Sequence, residues 1–517
     1  MKANLGSLKK ICIVVFILLG VLSATKLDEL KFSFDFSQFF PEEDPDLAFY
    51  DSFVEEFGTD DNFLLIAVIN KPDVFQQDFL NKFQAFSQES KGFEHVIESN
   101  SLTTLSYPLK TSFGYTTLPI IHINDSLQYQ KDWHKIQVDS LFINVLIDEK
   151  KESLVLALQT TDNLDYKQSE VLLNTIRTSL KSHDLTNYHI LGRAFFYEAI
   201  VEMQRSEVLT TTIVASILVF IILLLVYRSL PVVLISVFSI AMSLLLFMGL
   251  LAALGRELNA MAAFYPVLML IVGTSDVIHL TDSYIRKLQS GISRYASIIS
   301  SLKEVGMTTL LTSITTAVGF VTLLSSRLVS IQEFGINAAI GVLVAYTTVI
   351  LLTSSLLISL PEKKLIGRKS ISENWVNYLL KVNTFTKNYP NHIIWGTVVF
   401  TFFCFLGIYL IKTNHEFKQT LPAKSEIAID FEYFQNNYAG FRPLEIAVMS
   451  TDGHKVTDFE IAQEIEKLLT YLKTFKIIGN IQSANLPYKI INKANNLNSA
   501  AFFTLPDDKA TFIKYQK

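Results

Sequence analysis

Seven long apolar stretches constrain this chain more than any other feature of its sequence. A helix needs roughly 20 mainly apolar residues to cross a bilayer. It is stable there because it satisfies its own backbone hydrogen bonds. The stretches lie at residues 8–26, 208–227, 231–254, 261–285, 304–325, 333–360 and 391–411. The sequence therefore predicts an α-helical protein that crosses the membrane several times.

The overall composition excludes several classes of function. Half of the 517 residues are hydrophobic and only 18% are charged, whereas soluble chains carry about a quarter charged residues. The formal net charge of -5 leaves no basic surface for nucleic acid. Cys12 and Cys404 lie in apolar stretches without clustered metal ligands. With no phosphate loop or nucleophile elbow either, we expect neither an enzyme nor a bound metal or cofactor.

The first apolar stretch has two interpretations. Lys9 and Lys10 precede about fifteen apolar residues, which is also typical of a cleaved signal peptide. The following Leu22-Ser23-Ala24-Thr25 is a poor cleavage site. This favours a signal anchor that stays attached as the first membrane helix.

Basic residues predict the orientation of the helices, since short cytoplasmic segments carry an excess of Lys and Arg. Such residues precede stretch one and follow stretches two, four and six: Lys2, Lys9, Lys10, Arg228, Arg286, Lys287, Arg294, Lys303, Lys363, Lys364, Arg368, Lys369, Lys381 and Lys387. We therefore expect a cytoplasmic N-terminus, with the long segments after stretches one and seven outside the cell.

The sequence between the first two stretches predicts an α+β domain. Short apolar runs at 63–69, 153–158 and 188–191 are typical of strands. Runs at 74–88 and 165–182 have helical spacing. Strands that alternate with helices predict ferredoxin-like split βαβ units.

A further amphipathic helix is predicted at 372–388, between stretches six and seven. Ser372 is a suitable N-cap. One face of this helix carries Trp375, Tyr378, Leu379 and Val382. We interpret it as a linker that lies on the inner leaflet.

Part of the sequence is repeated after the seventh stretch. Phe36–Pro41 follows stretch one, and the similar Phe417–Pro422 follows stretch seven. Further matches continue in order: Tyr50 with Phe431, Phe53 with Phe434, Phe57 with Tyr438, and Leu64–Val68 with Leu444–Val448. An internal repeat of this kind predicts two copies of one unit, each beginning with a membrane helix.

One helix, a large outer domain, five helices and then the same order again resembles the RND (resistance-nodulation-division) superfamily. Within it, the chain is most similar to MMPL-type exporters and sterol-sensing-domain proteins. The residues that carry the resemblance are Phe40-Pro41, Gly273–Leu280, Thr308–Phe320, Phe334-Gly335 and Gly341. Such proteins move hydrophobic or lipid-like molecules outward, and the bacterial members use the proton gradient.

The resemblance implies a domain order for the whole chain. We expect transmembrane helix 1 at 1–26, a first extracytoplasmic porter domain at 27–207, a five-helix sterol-sensing-like bundle at 208–360, a cytoplasmic linker at 361–390, transmembrane helix 7 at 391–411 and a partial second porter domain at 412–517. It also implies an inner-membrane location and lipid-like cargo. The second copy looks incomplete, so we expect either a missing C-terminal half or a partner copy.

Asp276 is the leading site residue, because a carboxylate inside a membrane helix is costly and usually marks an ion pathway. His279 and Asp282 follow at successive steps of three residues, where side chains are neighbours. These three residues form the predicted proton relay. The alternative is that His279 and Asp282 lie in water at the membrane surface.

The family pattern in this helix is usually Gly-x-Asp-Tyr or Gly-x-Asp-Asp. Here Gly273 is followed by Thr274, Ser275 and Asp276, so Ser275 stands where the first Asp would be. Either Asp276 takes over the role or the coupling differs. The alternative function is therefore a lipid-sensing or scaffold protein that does not transport, or an inactive fragment.

Small and hydroxyl-bearing residues in the fifth stretch could support Asp276. Thr308, Thr312 and Thr315 form one row that leads to Gly319, and Thr309, Thr312 and Thr316 form an adjacent row. Such rows commonly mark close helix packing, and their hydroxyls could instead bind Asp276. Pro266 is predicted to kink the fourth stretch, because proline removes a helical hydrogen bond.

Overall fold

The computed structural model describes residues 2–32, 40–41, 43–59, 61–139, 141–365, 373–411, 425–440, 444–450, 453–475 and 478–516. The chain divides into two compact units. Residues 1–53 and 200–415 form one, called the membrane unit here. Residues 54–199 and 416–517 form the other, called the α+β unit.

Helices make up the membrane unit. They are α1 (Lys2–Lys26), α7 (Leu230–Ala253), α8 (Phe264–Gln289), α9 (Arg294–Ser301), α10 (Met307–Val321), α11 (Val329–Thr348), α12 (Ser354–Ser359), α13 (Glu362–Leu365), α14 (Glu373–Asn388) and α15 (Pro390–Ile408). Two further helices, α2 (Pro45–Phe57) and α6 (Arg193–Tyr227), extend across the unit boundary. Among the described residues, seven spans are long and apolar enough to cross a membrane. They fall on the seven predicted stretches, so a multi-pass membrane protein is confirmed.

The first helix packs closely on the third span. A side chain on Gly249 of α7 would collide with Ser23 of α1, and one on Gly20 of α1 would meet the Met242 sulfur at 2.8 Å. Small residues allow helices to approach in this way in membranes. The contact makes α1 part of the helix bundle.

The predicted linker helix is present as α14. Its proposed N-cap, Ser372, lies outside the described residues, and the side chain of Trp375 is not described either. Tyr378, Leu379 and Val382 are exposed on α14. An exposed apolar face suits a helix that lies on a lipid surface.

A four-stranded antiparallel sheet forms the centre of the α+β unit. Its strands are β1 (Phe63–Ile69), β2 (Val96–Asn100), β5 (Ser153–Thr160) and β6 (Tyr188–Gly192), in the order β2-β5-β1-β6. Helix α3 (Gln77–Glu89) connects β1 to β2, and α5 (Tyr166–Ser182) connects β5 to β6. Each pair of connected strands has another strand between them, which is the predicted split βαβ arrangement.

The strand and helix predictions in this unit hold closely. Asp165 caps α5 by accepting a hydrogen bond from the Gln168 backbone N–H at 2.8 Å. Helix α3 begins at Gln77 rather than at 74, because the Asp73 carboxylate accepts from the Phe75 backbone N–H at 2.9 Å. Such a side-chain turn competes with helix formation.

An insertion between β2 and β5 was not predicted. It contains the hairpin of β3 (Ser106–Thr111) and β4 (Gly114–Pro119), followed by α4 (Tyr129–Asp139). The hairpin strands are largely exposed. They therefore lack the apolar alternation that marks a half-buried strand in a sequence.

The described residues after 425 contribute four helices to this unit: α16 (Glu426–Asn437), α17 (Phe459–Leu472), α18 (Leu486–Asn495) and α19 (Lys509–Gln516). Residues 444–450 have no regular secondary structure. The strand that the repeat predicted at Leu444–Val448 is therefore wrong, and these residues are largely exposed. Without a sheet neighbour to hydrogen-bond, an isolated apolar run does not form a strand.

Helix α16 binds to the four-stranded sheet. The Asp430 carboxylate contacts His189 Nδ1 at 2.7 Å and accepts from the Ile190 backbone N–H at 2.9 Å. The Tyr438 hydroxyl lies 2.6 Å from the Ser153 hydroxyl, and burial raises the pKa of Tyr438 well above its usual range. Phe434 is completely buried beside it. These contacts attach a late segment of the chain to an early one.

We predict that Phe434→Ala destabilises the α+β unit. Loss of a buried aromatic side chain costs about 3–5 kcal/mol, which lowers the unfolding midpoint of a unit of this size by roughly 6 °C or more. Thermal unfolding can be followed by tryptophan fluorescence, to which Trp133 on α4 contributes. The control is Ile429→Ala on the same helix, where the side chain is 50% exposed. Equal thermal unfolding midpoints for the two variants would contradict the described packing of α16 on the sheet.

Candidate functional site in the membrane helices

Helix α8 carries the predicted site, and its start is fixed by a short 3₁₀ turn. The turn covers Ala260–Ala263 and is capped by Asn259, whose side-chain oxygen accepts from the Met261 backbone N–H at 3.0 Å. Pro266 is therefore in the first turn of α8, where no helical hydrogen bond to its nitrogen is needed. At this position the proline interrupts no helical hydrogen bond, so the kink at Pro266 stays a prediction without this physical cause.

Asp276 lies inside the helix bundle with 4% of its surface exposed. Gly273 and Val277 beside it on α8 are also buried. A side chain on Gly273 would meet Ile240 of α7 at 3.3 Å. Among the described residues, nothing forms a hydrogen bond with Asp276 Oδ2. The carboxyl group therefore lies in an apolar environment without the partners that a buried charge requires.

The other predicted relay residues do not join Asp276. Both Ser275 and His279 are exposed. Asp282 is also exposed and pairs with Arg286, one turn further along α8, at 3.2 Å. Each step of three residues rotates a side chain by about 60° around the helix, so two steps carry Asp282 off the buried face. The predicted chain of neighbours is not formed in this structure.

The hydroxyl row on α10 does not reach Asp276 either. The hydroxyl of Thr312 donates to the Thr309 carbonyl at 2.9 Å, and those of Thr315 and Thr316 donate to the Thr312 carbonyl at 2.9 and 2.8 Å. All three threonines are exposed, as is Gly319. The buried row of α10 is the neighbouring one, formed by Thr309, Ser313 and Ala317. Helix α10 therefore packs through a different face from the one predicted.

Two features near Asp276 were not found from the sequence. A π-helical turn, Leu302–Gly306, joins α9 to α10, and a second one, Val349–Thr353, joins α11 to α12. Tyr346 of α11 donates its hydroxyl to the Gly306 carbonyl at 2.9 Å. The same tyrosine is within electrostatic reach of Asp276. A tyrosine in an apolar stretch was a visible signal, but π turns have no comparable sequence signature.

Polar contacts fix one end of the bundle. The Arg294 guanidinium donates to the carbonyls of Ile358 and Leu360 at the end of α12. Ser283 of α8 donates to the Ser301 hydroxyl of α9 at 3.1 Å. Lys287 pairs with Glu304 of the π turn at 2.6 Å. The π turn is thus held at two points, by Lys287 and by Tyr346.

No group of three or more His, Cys, Asp and Glu side chains that could hold a metal ion occurs in the part of the chain that the structure describes. The membrane site therefore offers one buried carboxyl group and one nearby phenol. Such a pair can bind, release and respond to a proton.

Comparison with known proteins agrees with the resemblance drawn from the sequence. The model of the MMPL family matches residues 144–384, which include α5 to α13 and the Asp276 site. Over these residues the chain is similar to the MMPL family, which is consistent with an RND/MMPL-type protein. No curated protein matches the chain.

We predict opposite outcomes for two glycines of the matched segment. A side chain on Gly335 of α11 would meet the Phe320 carbonyl at 2.6 Å, whereas one on Gly319 of α10 would meet nothing within 4 Å. Gly335→Ala should therefore separate α10 from α11 and cost about 1–3 kcal/mol. Gly319→Ala should be neutral or stabilising by up to about 1 kcal/mol. Thermal unfolding in detergent measures both, and an unchanged Gly335→Ala protein would contradict the described packing.

Proposed function

We propose that this MMPL-type chain takes part in moving lipid-like molecules across a membrane, and that proton binding at Asp276 drives the movement. The observation that carries the proposal is the burial of the Asp276 carboxyl group among membrane helices without a described partner for Oδ2. Similarity to the MMPL family over residues 144–384 supports transport of lipid-like cargo.

A buried carboxyl group is stable in such a place only while it is neutral. In the charged form it would need donors, since an unpaired charge away from water costs several kcal/mol. Intramembrane carboxylates mark ion pathways for this reason. The proposed resting state therefore has a proton on Asp276, and loss of that proton forces the surrounding helices to rearrange.

Tyr346 is the proposed partner of the charged form. In the structure its hydroxyl donates to the Gly306 carbonyl in the π turn. When Asp276 loses its proton, the hydroxyl would turn to the carboxylate, because hydrogen bonds to charged acceptors are stronger. Gly306 would then lose its contact with α11. The proton thus controls a contact between α10 and α11.

This contact offers a way to couple proton binding to movement. The start of α10 is held by Tyr346 and by the Lys287–Glu304 ion pair. Release of one of these two contacts shifts the balance between two arrangements of α10 and α11. In the proposed cycle this shift alternates access to the cargo site, as in other transporters that work around a fixed membrane site.

The orientation and location belong to the same proposal. Arg228 lies in the tight turn between α6 and α7, Arg286 and Lys287 lie in the last turn of α8, and Arg294 begins α9. By the positive-inside rule these segments are cytoplasmic. The α+β unit would then be extracytoplasmic and would act as the porter part, and the membrane would be the bacterial-type inner membrane.

Ser275 does not supply the missing family carboxylate, since it is exposed and lacks an ionisable group. This observation favours a second candidate function, that of a lipid-sensing protein without transport. The two functions differ in one respect that can be measured. A sensor binds lipid but shows no movement of lipid that depends on a pH gradient.

We predict that Asp276→Asn abolishes proton-driven transport. The variant cannot exchange a proton, so the movement of a fluorescent single-chain lipid in proteoliposomes with an imposed pH gradient should fall to about a tenth or less, a barrier increase of at least about 1.4 kcal/mol. Asp282→Asn is the matched control, because that carboxylate is on the same helix but exposed and paired with Arg286. Undiminished transport by Asp276→Asn would rule out the proton role.

Tyr346→Phe should change the pH dependence of transport while leaving the fold intact. Without the phenol the charged form of Asp276 loses its donor, so proton release needs a lower proton concentration and the pH profile of lipid movement moves to higher pH. Tyr227→Phe is the control, because that hydroxyl donates to the Ile278 carbonyl at 3.2 Å instead. Identical profiles for wild type and Tyr346→Phe would exclude the proposed exchange of acceptors.

A further inference from the structure

The α+β unit contains a cavity of about 540 Å³ that is far along the chain from the Asp276 site. One wall is the β3–β4 hairpin, with Lys110 and Tyr115. The opposite wall is formed by α18, with Ile491 and Asn495, and by α19, with Lys514. A volume of this size is within the range of small-ligand sites, which is about 300–1,000 Å³.

Hydrogen bonds between the walls hold the cavity in shape. The Asn495 side-chain amide donates to the Tyr115 hydroxyl at 3.0 Å, and its oxygen accepts from Lys110 Nζ at 2.8 Å. The Tyr515 hydroxyl donates to Asn492 at 3.3 Å behind this wall. The cavity is therefore formed before any ligand binds, which lowers the cost of binding.

The charge of the lining is positive. Its ten residues include two lysines and no acidic side chain. The described partners of Lys110 are the neutral Asn495 amide and the Tyr115 ring, whose centroid is 5.9 Å from Nζ. In the part of the chain that the structure describes, Lys514 has no ion-pair or hydrogen-bond partner. Asp508 at the start of α19 is not in the lining and accepts from the Thr511 backbone N–H at 2.8 Å.

The rest of the lining is apolar or aromatic. Pro108 of the hairpin and Ile491 and Ala494 of α18 add apolar surface, and Tyr115 and Tyr515 add their rings. An inorganic anion would use the lysines but leave these surfaces in water. A ligand with an acidic group and an attached hydrocarbon chain would use both.

We propose that this cavity binds a single-chain anionic amphiphile of the fatty-acid type. The acidic group lies between Lys110 and Lys514, and the first part of the chain packs on Pro108, Ile491 and the tyrosine rings. This inference deepens the proposed function and rests on it, since it gives the lipid-like cargo an acidic head group. The binding itself does not require Asp276.

The test is site-specific labelling of the full chain in neutral phosphatidylcholine nanodiscs. The probes are a photoactivatable fatty acid and its uncharged alcohol analogue, and labelled peptides are mapped by mass spectrometry. The variants are Lys110→Gln and Lys514→Gln. Lys167→Gln is the control, because this lysine is exposed on α5 and is not in the lining. Asp276→Asn is included to separate binding from transport.

We expect the fatty acid to label peptides from β4, α18 and α19 in wild type, Lys167→Gln and Asp276→Asn. Labelling should fall roughly tenfold in Lys110→Gln and Lys514→Gln, since a charge-assisted contact is lost. The alcohol should label as weakly as those variants. Unlabelled fatty acid should compete, and inorganic phosphate should not.

Three outcomes would overturn the inference. They are equal labelling by acid and alcohol, unchanged labelling in both lysine variants, or full competition by phosphate, which would mean a site for small anions only. If labelling is as expected but Asp276→Asn still transports lipid, the binding site stands and the proton-coupling proposal fails. If labelling fails but Asp276→Asn stops transport, the proton-coupling proposal stands and the binding site is ruled out.

Discussion

The hydrocarbon core of a membrane contains no water. Polar atoms of the helices must therefore find hydrogen-bond partners inside the protein, and an ionisable group without a partner must be neutral. Many hydroxyl groups of the described membrane helices meet this requirement within their own helix. Ser236 donates to Val232 at 2.9 Å and Thr347 to Leu343 at 2.9 Å, each within its own helix. Asp276 has no such solution, because an aspartate cannot donate while charged and its Oδ2 has no described partner. The proposed proton chemistry follows from this unpartnered carboxyl group.

The same requirement explains why the surroundings of Asp276 can respond to its charge. Tyr346 uses its hydroxyl on a backbone carbonyl of a π turn, where the helical hydrogen-bond pattern is already altered. A carbonyl in such a turn can lose its partner at lower cost than one inside a regular helix. In the proposed cycle, the charged and neutral forms of Asp276 therefore favour different contacts between α10 and α11.

Much of the fold could be predicted because it depends on composition over many residues. The seven spans and the strands at 63–69, 153–158 and 188–191 were visible as apolar runs with suitable boundaries. The exposed β3–β4 hairpin gave no such signal. The expected strand at 444–448 is absent, since strand formation depends on a neighbour that the sequence does not show.

The site could be predicted only in part. Asp276 was identified because the cost of a membrane carboxylate can be read from one residue. His279, Asp282, Thr312, Thr315 and Thr316 were placed by spacing alone, and spacing does not show which helix face is buried. The structure exposes all of them and buries the neighbouring row of Thr309, Ser313 and Ala317. Tyr346 could not be predicted as a site residue, because its role depends on its hydrogen bond to the Gly306 carbonyl of a distant turn. No local sequence pattern reveals such a contact.

The central claim is that Asp276 carries a proton that it can lose. Infrared difference spectroscopy of the purified chain in nanodiscs, recorded between low and high pH, measures this most directly. We predict that wild type loses the carbonyl-stretch band of a protonated carboxylic acid as the pH rises. The same band should be missing from Asp276→Asn and present in Asp282→Asn. A band that persists in Asp276→Asn, or no titrating band in wild type, would contradict the account.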